Sequence, residues 1–133
     1  MARILAIDFG EKRLGVAISG PLNITAQGLE TVKREDGLKA IKSLISQYDI
    51  SKIVIGLPLN MNGTKGARAE ATEEFVESLK KDIAIDMELV DERLTSAQGE
   101  RMLLEADVSR RKRKASIDKI AAQLILQAYL DSR

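Results

Sequence analysis

Short apolar runs alternate with longer amphipathic ones along this chain, and that order restricts it to a sheet flanked by helices. Residues 3–8 form an apolar run ending in Asp8-Phe9-Gly10 and read as a buried strand. Glu11-Lys12-Arg13 supplies a turn, and residues 14–19 read as the hairpin partner. Pro21-Leu22-Asn23 breaks the chain, after which a weaker third strand is expected over 29–32, joined by residues from Thr25 onward. From Asp36 to Tyr48, the residues Leu38, Ile41, Leu44, Ile45 and Tyr48 make the i, i+3, i+4 stripe of an amphipathic helix. Ile53-Val54-Ile55 is apolar throughout, as strands inside a parallel sheet are. Residues 67–81 are helical by composition, with Phe75, Val76 and Leu79 facing inward, and residues 85–90 read as another strand. Thr95 with Gln98 three residues on is a capping box that opens a helix to about Ala106. A basic loop follows, and Ser116 caps a last helix to about Leu130.

Three strands followed by alternating helices and strands give an α/β arrangement. The expectation is a mixed five-stranded sheet, three antiparallel strands and then parallel ones, with helices on both faces. A chain of 133 residues has one core's worth of material, so a single domain over 1–133 is expected. The C-terminal ends of the first strand and of the strands at 53–55 and 85–90 then share one edge. Ligands bind at that edge in open α/β sheets.

Two absences narrow the chemistry. There is no Cys, hence no disulfide, thiolate metal site or cysteine nucleophile. There is no His either, which removes Ser-His-Asp catalysis and imidazole ligands. What remains is carboxylates, Lys, Tyr, hydroxyls, or a hard cation such as Mg²⁺ or Mn²⁺ held by oxygen. The apolar start meets Asp8 too early for a signal peptide, and no stretch approaches the ~20 apolar residues of a membrane span. A cytoplasmic protein with no membrane partner is expected.

Three acids converge on the predicted edge. Asp8 ends the first strand, with Gly10 behind it to let a ligand approach. Asp91 and Glu92 end the last strand, and alternation lets only one of them share Asp8's direction. Asp118 shares a stripe with Ala121, Ala122, Ile125 and Tyr129, so it points toward the sheet. Taken singly, Asp8 serves as a turn former and Asp118 as a helix-start acid. Together they would repel one another without a cation. Two Mg²⁺ or Mn²⁺ ions about 4 Å apart could bridge them, which implies phosphodiester hydrolysis without His.

The net charge of +1 hides an asymmetry: 21 basic residues against 20 acidic ones, with five of the basic ones consecutive at Arg110, Arg111, Lys112, Arg113 and Lys114. Such a run favours nucleic acid as partner. Aromatic residues make up only 3%, so recognition runs through phosphates and shape rather than stacking. The loop 56–66 is a weaker candidate for a phosphate cradle, with Asn60, Asn62 and Thr64 next to a helix start.

Four segments carry a resemblance: Asp8-Phe-Gly-Glu-Lys-Arg13-Leu-Gly-Val-Ala-Ile-Ser19, Ile55-Gly-Leu-Pro-Leu-Asn-Met-Asn-Gly63-Thr, Asp91-Glu-Arg-Leu-Thr-Ser96, and Lys114-Ala-Ser-Ile-Asp118 with Ala121-Ala122. In this order and spacing, over nearly the whole chain, the sequence resembles the YqgF/RuvX family of Holliday junction resolvases and pre-16S ribosomal RNA nucleases. The resemblance implies an RNase H-like fold, with Asp8, Glu92 and Asp118 as metal-binding catalytic acids and Asp91 as the alternative to Glu92. It also implies Arg13, Arg93 and Lys114 as phosphate contacts. The activity implied is a Mg²⁺- or Mn²⁺-dependent nuclease of structured nucleic acid that matures the 5′ end of pre-16S rRNA, with the ribosomal precursor particle as partner. The alternatives are a resolvase of branched DNA and a non-catalytic nucleic-acid-binding module. The sequence departs from the family pattern at Gly20 and Asn62, where many relatives carry Asp; loss of that acid at position 20 would weaken metal binding if it were a ligand.

Overall fold

Alternation along the first strand decides how the sheet is covered. In the computed structural model, which describes residues 2–60, 62–91 and 110–132 (the backbone alone over 110–119), β1 (Arg3–Phe9) sends Leu5, Ile7 and Phe9 to one face and Ile4 and Ala6 to the other. β2 (Arg13–Ser19) returns antiparallel, pairing Phe9 with Leu14 and Leu5 with Ile18. The short strands β3 (Ala26–Gly28) and β4 (Val32–Lys33) both pair with β2. A 3-10 turn leads into helix α1 (Gly37–Gln47). Then come β5 (Ile50–Leu57), parallel to β1, and helix α2 (Ala67–Asp82). β6 (Asp86–Asp91) runs parallel to β5, and helix α3 (Arg110–Asp131) closes the described chain.

The order across the sheet is β3-β2-β1-β5-β6, with β4 beside β2. Helices α1 and α2 cover the face of Leu5, Ile7, Leu14, Val16, Ile18, Ile53 and Ile55 with Ile41, Val76 and Leu79. On the other face α3 sets Ala122, Ile125, Leu126 and Leu130 against Ile4, Ala6, Ala17 and Val54. Alanine on both sides of this second layer lets the helix lie close to the strands. Gln127 fixes its position by accepting from the Ala26 N–H at 3.0 Å and donating to the Ile24 carbonyl at 3.0 Å. Gln123 donates to the Ala26 carbonyl at 3.3 Å. These bonds satisfy backbone groups on an edge strand that would otherwise be open to pairing. Across the sheet Lys52 holds Glu88 at 3.0 Å and lies 5.3 Å from the Tyr129 ring, tying β5, β6 and α3 together. A hydrogen bond with Tyr129 and then one with Glu88 raise its pKa above the ordinary lysine value.

Two expectations need correction. The sheet has six strands, not five, because the third strand is split. Ala17 faces Gly28 while Leu14 faces Val32, a shift of one residue that sets Glu30 and Thr31 against the single Gly15. This is a β-bulge, and an inserted residue breaks the period of two by which strands are read. The basic run is also not a loop: α3 begins at Arg110, and Ser116 lies inside it rather than capping it. Arg and Lys are good helix formers, so the run extends the helix. The helix expected over 95–106 lies outside the described residues.

Candidate active site

Asp8 takes its setting from its lateral neighbours. It pairs with Gly15 on β2 and with Gly56 on β5, and Gly56 pairs in turn with Val90 on β6. Residues paired across a sheet share a face, so the row Gly15–Asp8–Gly56–Val90 lies on the side that α3 covers. The half-buried carboxylate of Asp8 is flanked by two residues without side chains, which leaves room on either side of it. The next residue, Phe9, anchors this end of β1. Its ring stacks on Phe75 of α2 at 4.6 Å between centroids, and the Arg34 guanidinium lies 4.3 Å from its centroid.

The hairpin beyond is tight. Gly10 donates its N–H to the Arg13 carbonyl at 3.0 Å. A Cβ on Gly10 would stand 2.6 Å from that oxygen, so the glycine is required by the turn rather than by a ligand's approach. Arg13 precedes Gly15 by two places on the same face, diagonal to Asp8, and donates to Thr31 Oγ1 at 3.3 Å. Lys33 faces Arg13 across the ladder. A hollow of about 690 Å³ opens here, lined by Glu11, Lys12, Arg13, Lys33, Arg34 and Glu35. A second, of about 260 Å³, lies between β6 and α3 and is bordered by Glu88, Val90, Asp91, Ile125 and Tyr129 among others.

The loop after β5 uses its polar side chains on itself. Asn60 donates from its amide to Thr64 Oγ1 at 3.0 Å, and Asn62 Oδ1 accepts from both the Thr64 N–H and its hydroxyl. Gly63 has φ 86°, a conformation that favours glycine. One of the two amide N–H groups of Asn60 is thereby committed to closing the loop.

The structure thus places Asp8, Arg13 and the end of β6 at Asp91 along one edge of the sheet. Glu92 and Arg93 lie outside the described residues. Asp118 and the run Arg110 to Lys114 lie in α3, described by backbone alone. Among the described residues no three carboxylates gather closely enough to hold a metal. Among them, too, no helix is long and apolar enough to cross a membrane. Gly20 sits at the other end of β2, past Ser19, five strand positions or roughly 16 Å from the level of Asp8. The departure from the family pattern there is remote from Asp8. Sequence reasoning missed the flanking roles of Gly15 and Gly56 and the placement of Lys33. Each depends on which strand lies beside which, and a single strand's pattern does not carry that.

Residues 2–132 match the RuvX family, described as Holliday junction resolvase. A relative from Bacillus thuringiensis, named "Putative pre-16S rRNA nuclease", is 52% identical over 136 residues, spanning 98% of this chain and 99% of its own length. A Bacillus anthracis relative of the same name matches with the same identity and coverage. Among solved structures, the fowlpox virus Holliday junction resolvase superposes with a TM-score of 0.56 at 12% identity, over 98% of this chain and 99% of its own. RuvC from T. thermophilus, in complex with Holliday junction substrate, does so at 0.56 and 12%, over 98% and 95%. At such identities these two establish the fold, and it is the RNase H-like arrangement that the sequence resemblance implies.

Proposed function

The chain belongs to the RuvX family, and from that premise we propose that it is a divalent-metal-dependent nuclease of structured nucleic acid that matures the 5′ end of pre-16S rRNA. The observation that carries this reading is the half-buried Asp8 between two glycines at the C-terminal edge of a mixed sheet. The names of relatives 52% identical over nearly the full length support ribosomal RNA as the substrate.

In this reading Asp8, Glu92 and Asp118 hold Mg²⁺ or Mn²⁺. The donor set fits: with neither Cys nor His in the chain, every anionic ligand is a carboxylate, and hard cations prefer oxygen. Between Glu92 and Asp91, strand alternation counts against Asp91, because Val90 lies on Asp8's face and Asp91 pairs with Leu57 in the next row. The length of α3 supports Asp118. From Leu126, in the same core cluster as Ile4, to position 118 the helix rises about 12 Å, and from Ile4 to Asp8 the strand advances about 13 Å. When bound, such cations supply an acidic water and neutralise charge on the leaving oxygen.

The chain's own residues do the rest. Asp8 is held at a fixed level by the Phe9–Phe75 stack. Arg13, diagonal to it, and Arg93 bind the phosphates flanking the bond to be cut, and the free amide N–H of Asn60 adds a neutral donor. Arg110, Arg111, Lys112, Arg113 and Lys114 open α3 with no acid in its first turn. Cations there oppose the helix dipole and repel one another, a cost that a phosphate backbone relieves. The enzyme works in the cytoplasm on the ribosomal precursor particle.

A second reading, cleavage of four-way DNA junctions, is favoured by the family description and has to be tested beside the first. Labelled pre-16S leader RNA and a four-way DNA junction, each with Mn²⁺, form the test. The account predicts cleavage of the RNA; cleavage of the junction alone would reassign the substrate. If neither is cut while both are bound, the chain is a non-catalytic module.

A further inference from the structure

The hollow at the β1–β2 hairpin tip lies outside the carboxylate set and is not accounted for by it. Four cations border it, Lys12, Arg13, Lys33 and Arg34, against two acids, Glu11 and Glu35. Among the described residues none of the four forms an ion pair. Two of them, Arg13 and Lys33, face each other directly across the β2–β4 ladder, an arrangement in which like charges repel. Arg34 is held in place: its backbone N–H donates to the Lys12 carbonyl at 2.9 Å, its guanidinium donates to the Glu11 carbonyl at 3.2 Å, and it packs on Phe9. That leaves most of its five N–H donors for another group. Lys33 and Arg34 stand outside the four family-like motifs, so no resemblance assigns them a role.

We infer that this hollow, through Lys12, Arg13, Lys33 and Arg34, binds the phosphate backbone of the substrate strand as it leaves Asp8. The inference rests on the nuclease reading and extends it with a direction of travel. Asp8, Arg13 and Lys33 lie on three neighbouring strands, so that Lys33 stands two spacings across the sheet and two residues along it from Asp8, about 12 Å in all. A nucleic-acid strand advances about 3.4 Å per phosphate along its axis, so Lys33 meets the backbone about three nucleotides from the bond cut. The strand therefore runs from Asp8 toward the β4 edge, away from β6.

The test is binding by the full chain without divalent metal, so that nothing is cut. The probes are a labelled RNA hairpin with single-stranded flanks and a labelled four-way DNA junction. Affinity is read against salt for the wild type, for Lys12→Gln/Lys33→Gln, and for the charge-matched control Lys39→Gln/Lys42→Gln on α1, whose lysines are also exposed. The hollow variant should show a salt slope shallower by about 1.4 to 1.8, from 0.7 to 0.9 per lost phosphate contact, while the control keeps the wild-type slope. A change on one probe alone supports the inference and identifies the substrate. Equal slopes in the hollow variant and the control overturn it. A wild type that binds neither probe overturns the nuclease reading as well. If the double variant melts early, Lys33→Gln alone carries the test with half the change.

Discussion

At Gly10 a single hydrogen replaces a methyl because the chain reverses too tightly for a Cβ. The carbonyl of Arg13 occupies that place, and backbone cannot step aside as a flexible side chain can. Gly10→Ala should therefore destabilise the fold by roughly 1–3 kcal/mol, read from the midpoint of denaturant unfolding. A variant as stable as wild type would show that the hairpin tip is loose. The consequence reaches Asp8, since the same turn sets Arg13 on its diagonal. The sequence displayed Asp8 as the end of an apolar run, and that much was legible. The pairing of Asp8 with Gly15 and Gly56 was not, because partners across a sheet are chosen by tertiary packing.

Among the elements, the strands and helices of the α1–α2 face were legible because their apolar periods are clean. Ile53-Val54-Ile55 is the middle of β5, and Val76 and Leu79 do face inward. Where charge or an inserted residue overrides the period, the apolar pattern no longer marks the element: at the Glu30-Thr31 bulge and at the start of α3. A helix that opens on five cations carries its own electrostatic penalty. Neutralising Arg110, Arg111, Lys112 and Arg113 to Gln should thus have opposite effects on two observables. The melting temperature should hold or rise, as like charges leave a helix N-terminus. Nucleic-acid affinity should fall, with a shallower salt slope. An unchanged slope would mean that this run does not touch the substrate.

For the whole molecule, the two faces of the sheet divide the labour. The α1–α2 face is built of large aliphatic residues and supplies most of the core. The α3 face packs alanines among Ile4, Val54, Ile125, Leu126 and Leu130, carries Asp8 between its glycine neighbours, and keeps polar backbone on the edge strand satisfied through Gln123 and Gln127. The larger hollow lies where β1 passes into β2, one turn beyond Asp8. Fold and edge followed from element order alone, whereas the assembly of the acids depends on how α3 lies along β1. The most direct test of that assembly is Asp8→Asn, measured for Mn²⁺-dependent cleavage and, without metal, for binding of the same pre-16S leader RNA. The account predicts that cleavage is lost while affinity stays within about twofold, because a metal ligand and not a phosphate contact has been removed. Cleavage at the wild-type rate would contradict it.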